Sequence, residues 1–394
     1  MNLEQKAIII LIKSAIKGTK LNLPSGYDNN KIYDIAQLHK ISTMIYYGAY
    51  NCGIDENSEL MMQLFTLVGA YVSICESQNF LVGNIYEAFE HNGIDYMPLK
   101  GLSIQKLYPK TGMRVMGDAD ILIRMEQYDK VKGIMASLGF REGVVSDHEI
   151  LWHHKTMLIE LHSRLIPTYN KDYYAYFGDG WQKAIKDNDY NSRYKMTSED
   201  EFIYLFAHLA KHYRDGGIGI KHLIDLWVYR LGVENLDENY IENELDKLNL
   251  LEFYKNVIHT IEVWFNDAEE NEKTEIITDY IFESGVYGNL KNKVIVEGIR
   301  SAKDKNNSMK NVRLSTVMEL VFLPYGAMCL KYPVLKDKPY LLPIYWIKRW
   351  CNAIVRRKSN IKKLNVTVKE MTASNMEHYI EDLKLVGLDF NFKE

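Results

Sequence analysis

Apolar residues recur at helical spacing through residues 1–92. "LEQKAIIILIKSAIKG" ends in Gly18, "KIYDIAQLHKISTMIYYGAYNCG" in Gly53, and "SELMMQLFTLVGAYVSICESQNFLVGNIYEAFEHNG" in Asn92-Gly93. A glycine just past the last apolar position is a helix stop, so the spacing predicts an N-terminal helical region. The texture changes at residue 93. "IDYMPLK", "MGDADILI", "FREGVVS", "EILWHHK" and "TMLIELHS" read as short strands, while "GLSIQKLY" and "RMEQYDKVKGIMASLG" keep helical spacing. Strands and helices mixed in this way predict an α/β or α+β core over residues 93–197. From Ser198 the helical pattern returns. "SEDEFIYLFAHLAKHYRDGG" opens with Ser198 and Glu201 in capping-box spacing, and "IKHLIDLWVYRLG" follows. This predicts a helical domain over 198–305. Residues 306–312 read as a linker. The remaining tail to residue 394 mixes helical spacing with Pro324, Pro333, Pro339 and Pro343, which would interrupt helices.

Composition changes this picture little. The chain has 394 residues, 47% hydrophobic and 25% charged, with a formal net charge of −4. That balance suits a globular protein with a sizeable core and argues against a nucleic-acid coat protein. The four cysteines, Cys52, Cys75, Cys329 and Cys351, lie far apart and form no CxxC pair, which argues against a zinc site or disulfide framework. A reducing cytoplasm is the expected compartment. The N-terminal run "AIIILI" lacks a basic start and a small-residue cleavage site, and no run of 18 apolar residues exists. Neither a signal peptide nor a transmembrane segment is expected.

The candidate chemistry centres on Gly117-Asp118-Ala119-Asp120-Ile121-Leu122. Side chains alternate faces along a strand, so Asp118 and Asp120 share one face, about 7 Å apart. Two carboxylates in a poorly solvated cleft raise one another's pKa, and a divalent cation removes that penalty. Glu160, a lone acid within the apolar run "TMLIELHS", is costly to place there without a task or partner, and His162 shares its face. Three such acids on adjacent strands suit metal-assisted phosphoryl or nucleotidyl transfer. In "PLKGLSIQKLY" a strand ends, Lys100-Gly101 turns and a helix begins, which predicts a phosphate cradle with Ser103 as a hydrogen-bonding partner. Arg114 could neutralise a phosphate, or balance the acids in an ion pair. His208 and His212 lie four apart on one helix face but lack the glutamate of a metalloprotease motif, and read as a polar stripe. Lys211, Arg214 and Lys221 could reach a triphosphate, and Asp225 reads as a buried ion-pair partner. From Lys348 to Lys363 there are seven Lys or Arg, near Trp346 and Trp350. This is a basic stretch of the kind that meets nucleic acid or anionic membranes, or simply a solvated helix face.

"LKGLSIQKLYPKTGMRVMGDADILI" followed by "LIELHSRL" resembles the DNA polymerase β-like nucleotidyltransferase superfamily, and within it an uncharacterised bacterial nucleotidyltransferase family. The likeness rests on the Lys-Gly turn, an Arg shortly before D-x-D, and a later Glu-x-His. "HLAKHYRDGGIGIKHLIDLW" and the proline-rich tail are also similar. The resemblance implies an α+β fold, a polymerase-β-like core of a small mixed β-sheet with helices, flanked by N- and C-terminal helical regions. It implies Asp118, Asp120 and Glu160 as catalytic metal ligands for Mg²⁺ or Mn²⁺, with Lys100, Gly101, Ser103 and Arg114 binding the nucleotide. The implied activity transfers a nucleoside monophosphate from a nucleoside triphosphate to a hydroxyl on a small molecule, RNA or protein. Leu102 stands between Gly101 and Ser103, where the superfamily keeps two small residues adjacent. That departure supports a rival expectation, a non-catalytic nucleotide-binding or scaffold module of the same fold.

Overall fold

The computed structural model describes residues 1–305 apart from positions 169 and 287. Beyond them it describes 318, 321–323, 325, 328–329, 332, 334–356 and 372–389. The expected linker 306–312 and the basic stretch 357–363 lie outside the described residues.

Four helices open the chain: α1 (Leu3–Lys17), α2 (Asn29–Leu38), α3 (Ser42–Cys52) and α4 (Glu59–Asn92). The Asn2 side chain accepts from the Gln5 backbone N–H, and the Gln5 side chain returns the bond, so a capping box starts α1. Gly18, Gly53 and Gly93 end α1, α3 and α4 in the left-handed conformation, where a Cβ would be strained. Gly48 has another reason to be small. A Cβ there would lie 2.0 Å from the Leu11 carbonyl oxygen, so α3 packs on α1 backbone to backbone.

Helix α4 runs for 34 residues, about 50 Å at 1.5 Å per residue. Leu60, Met61 and Leu64 at its start join the larger core, whereas Val82, Ile85 and Phe89 near its end join the core beneath the sheet. Among the described residues α4 is the one helix long and apolar enough to cross a bilayer by length and composition. Its buried side chains pack on protein at both ends.

The middle of the chain carries β1 (Tyr96–Pro98), α5 (Gly101–Ile104), β2 (Ala119–Ile123), α6 (Tyr128–Ser137), β3 (Arg141–Val145), β4 (Glu149–His153) and β5 (Leu158–His162). The strands form a mixed sheet in the order β1-β2-β5-β4-β3. Strands β2 and β5 are parallel and the other neighbours antiparallel. Period-two alternation divides its faces. Ile121, Ile123, Ile159 and Leu161 pack with Phe89 of α4 and with Val131 and Met135 of α6. Asp120, Leu122, Glu160 and His162 take the opposite face, and Leu122 joins the helical core.

Helix α7 (Lys171–Phe177) and a hairpin of β6 (Ile185–Lys186) and β7 (Tyr194–Lys195) lead to α8 (Ser198–Arg214), α9 (Ile220–Gly232), α10 (Glu238–Lys247), α11 (Leu251–Phe265), α12 (Glu272–Ser284) and α13 (Leu290–Lys305). The cap of α8 differs from the expectation. Thr197, not Ser198, is extended and accepts from the Asp200 N–H, because the chain bends one residue earlier. The Glu201 carboxylate instead accepts from the Tyr229 hydroxyl. Helices α1–α3 and α8–α12 share one core. Further on come α14 (Val334–Asp337), α15 (Leu342–Arg356) and α16 (Ala373–Leu385). Trp346 and Trp350 of α15 set their rings edge-on to Phe322 and donate their indole N–H groups to the Leu323 and Val321 carbonyls. These tryptophans are thus packed on their own segment.

His39 ties three elements together. Its Nδ1 accepts from the Ile220 N–H of α9, and its Nε2–H donates to the Phe282 carbonyl of α12, each at 3.2 Å. This pairing requires the neutral ring. Burial, only partly opposed by the Phe282 bond, lowers the His39 pKa to about 4 from an ordinary 6.5. A pKa lowered on folding means the stabilisation is complete above about 6.5 and fades as the pH falls towards 4. The expected loss across that interval is about 3 kcal/mol. His39→Gln should flatten this part of the stability–pH curve measured by urea unfolding; an unchanged slope would exclude His39 as its source.

Candidate active site

A cleft of about 560 Å³ opens between the polar face of the sheet and helices α8, α9 and α13. Its sheet wall is built by strand register. Asp120 on β2 and Glu160 on β5 are paired across the parallel ladder, and His162 follows Glu160 by two positions on the same face. Ligand atoms of Asp120, Glu160 and His162 all lie within 4.8 Å of one another. Asp118 directly precedes β2 and lines the mouth of the same cleft, where it stays exposed. Two of the three expected acids, Asp120 and Glu160, thus converge together with His162, while Asp118 lines the same cleft outside that cluster.

Asp120 is the best-connected of these groups. Its Oδ1 accepts from Lys100 Nζ at 2.7 Å and from His162 Nε2 at 2.8 Å. Burial alone would raise the Asp120 carboxyl, but the Lys100 charge and the His162 bond outweigh it and hold it well below the usual range. His162 is buried and its pKa is raised. Burial opposes its charged form, and the bond to Asp120 with the Glu160 carboxylate nearby overcomes that. Glu160 moves the other way: burial raises it, His162 at 3.7 Å opposes, and the neighbouring Asp120 and Asp118 charges add to the rise. Asp118 is likewise raised by loss of solvent and then by Asp120. This wall of the cleft thus holds one firmly ionised carboxylate beside two whose pKa values are raised. A divalent cation would relieve that repulsion, and the carboxylates offer the hard oxygen donors that fit one, whereas His162 Nε2 is engaged with Asp120. Both protein bonds fall on Asp120 Oδ1, leaving Oδ2 for a ligand.

The nucleotide-binding expectations separate. Lys100 and Gly101 line the cleft, but the positive φ of the turn, +50°, sits at Lys100 rather than at the glycine. A non-glycine residue held there costs conformational energy and tends to persist where it positions a side chain. Here it aims Nζ at Asp120. Helix α5 is only four residues long. Ser103 lies outside the cleft lining, on the side of Glu201. Arg114 is buried, donating Nε and Nη2 to Asp225 Oδ1 and Oδ2 at 2.7 and 2.9 Å, with the Tyr108 hydroxyl on the same carboxylate at 2.6 Å. It closes the floor of the cleft as an ion pair between the sheet region and α9.

The helical wall is basic. His208, Lys211 and His212 of α8, Lys221 and His222 of α9 and Lys293 of α13 all line it. His208 and His212 meet Nε2 to Nε2 at 3.0 Å, so at least one ring is neutral. Desolvation, then nearby cations, lowers both well below the usual histidine value. Lys221 donates to the Val115 carbonyl and is pushed down to about 7 by burial, then by Arg114. Glu149, at the start of β4 and paired with His162 across the ladder, lines the cleft as a fourth acid. Sequence reasoning missed Glu149, His222 and Lys293; for Glu149 the available signal was its place at the head of the alternating run "EILWH".

A family model described as an uncharacterised nucleotidyltransferase matches residues 25–266, which include the sheet, the acidic cluster and α8–α9. The antibiotic-resistance factor ANT(2'')-Ia, known from a solution structure, overlays on 49% of this chain and 100% of its own length, with 12% identity and a TM-score of 0.32. No curated relative matches. With the match extending over more than half its length, the chain belongs to the uncharacterised nucleotidyltransferase family.

Proposed function

We propose that this nucleotidyltransferase moves a nucleoside monophosphate from a nucleoside triphosphate to a hydroxyl acceptor, with Mg²⁺ or Mn²⁺ held by Asp118, Asp120 and Glu160. The observation that carries this reading is the in-register pairing of Asp120 with Glu160 on parallel strands, with Asp118 beside them and a basic wall opposite. A divalent ion bound there would neutralise charge on the triphosphate and lower the pKa of an attacking hydroxyl. The chain's own groups set the stage for it. Asp120 stays ionised at neutral pH because Lys100 and His162 hold it so. Should Glu160 not bind the ion, its raised pKa suits it instead to accept the acceptor's proton. The floor formed by Arg114 and Asp225 is neutral as a pair, so it closes the cleft without competing for the anion. The four cysteines are free thiols, which accords with a cytoplasmic setting where nucleoside triphosphates are plentiful.

The test is incubation of the protein with labelled nucleoside triphosphates, Mg²⁺ or Mn²⁺ and a cell extract, following pyrophosphate release and the destination of the label. The expected result is label on an acceptor, lost when the divalent ion is chelated. A second reading, a nucleotide-binding module without turnover, is favoured by one observation: Lys100 and His162 already engage Asp120. Calorimetric binding of the nucleotide with no pyrophosphate release under any ion would establish it.

A further inference from the structure

We infer that the basic face of α8, α9 and α13 is a polyphosphate-binding track, with Lys211 and Lys293 as its principal cations, and that the Lys100-Gly101 turn is not the phosphate cradle. This rests on the nucleotidyl-transfer reading for its biological meaning, but its geometry stands apart. The groups expected to bind phosphate from the sequence are committed elsewhere. Lys100 Nζ is on Asp120, Arg114 is on Asp225, and Ser103 lies outside the cleft lining. Helix α5, four residues long, offers almost no dipole.

The opposite wall has the reverse character. Lys211 and Lys293 line the cleft and form no ion pair among the described residues. Lys221 has only a neutral carbonyl as partner, and His208 and His212 have each other. Lys211 and Lys293, from two helices, have no carboxylate within ion-pair distance among the described residues, although Asp215 at the end of α8 lines the same wall, and they turn positive charge towards the side of the cleft that faces the acids. Such a field favours an extended anion with several charges over a single one. Asp118, Asp120 and Glu160 stand across the cleft, so a polyphosphate lying on the lysines would present its other oxygens towards the acids, where only a bridging cation makes the contact favourable. The ligand class is therefore a linear polyphosphate chain such as that of a nucleoside triphosphate.

Inorganic tripolyphosphate, titrated calorimetrically into the metal-free protein, isolates this surface from the chemistry. The expected result is binding that is clearly tighter than that of orthophosphate. Lys211→Ala and Lys293→Ala should each weaken it about tenfold, the scale of one lost charge-assisted hydrogen bond, and Ser103→Ala should leave it unchanged. Lys293 is exposed, so its substitution leaves the fold intact even if Lys211→Ala perturbs it. In the transfer assay the lysine variants should raise KM for the nucleotide more than they lower kcat. Tripolyphosphate binding that is absent, or that survives Lys211→Ala/Lys293→Ala unchanged, overturns the track even if nucleotidyl transfer is observed. Lysine-dependent binding without transfer keeps the track and removes the reaction.

Discussion

Asp120→Asn is expected to cut nucleotidyl transfer about a thousandfold or more, the rate equivalent of several kcal/mol of transition-state charge stabilisation. Asparagine preserves the shape of the side chain and can still accept a hydrogen bond, so β2 and its register with β5 should persist. It removes the charge that Glu160 and Asp118 would share with a bound cation. It also removes the counter-charge of Lys100, which is only 15% exposed. Stranding one partner of a buried pair costs about 3 kcal/mol, so urea unfolding should show lower stability as well. The two effects can be separated. Adding Lys100→Met to Asp120→Asn removes the stranded ammonium and should restore much of the stability while restoring none of the turnover. Turnover of Asp120→Asn within tenfold of the parent would remove Asp120 from the reaction.

Arg114→Ala is expected to lower stability by about 3–5 kcal/mol, one of the largest losses from a single substitution outside the apolar cores. The guanidinium and the Asp225 carboxylate are joined by two hydrogen bonds and are 9% and 11% exposed. Burial alone would raise the Asp225 carboxyl; Arg114 outweighs it and keeps it ionised. Without the arginine, that charge is left inside the protein with the Tyr108 hydroxyl and the Lys221 charge as its support. Asp225→Leu added to Arg114→Met should recover part of the loss, though not all, because Tyr108 then loses its acceptor. Denaturant midpoints of the single and paired variants measure this directly. A melting curve for Arg114→Ala matching the parent would show that the pair is not what joins the sheet region to α9.

These outcomes show what a sequence can and cannot reveal here. The D-x-D pair and the lone Glu160 were legible because a polar residue in an apolar strand stands out against period-two alternation. Their register was not: pairing Asp120 with Glu160 depends on β5 crossing over to lie parallel beside β2, which local pattern does not encode. Ser103 shows a signal that was present and unused. Residues two apart on a helix point to opposite sides, so once a helix begins at Gly101, Ser103 turns away from whatever Gly101 faces. Arg114 and Asp225 are separated by 111 positions, and nothing local in either segment names the other. The basic wall was half visible, in the spacing of His208, Lys211 and His212 along one helix. Lys293 joins it, and Glu149 the acidic wall opposite, only through tertiary packing.

Helix α4 has a mechanical consequence. One rigid rod is anchored at its start among α1–α3 and at its end beneath the sheet, and its midsection grips the segment leading to Asp118: Gln78 Nε2 donates to the Met116 carbonyl, and the Cys75 thiol to that of Arg114. Torque applied to the N-terminal bundle is thereby delivered to the segment that holds the first acid, some 25 Å along the axle. A displacement of the outer helices would thus have a hydrogen-bonded route to the segment that carries Asp118.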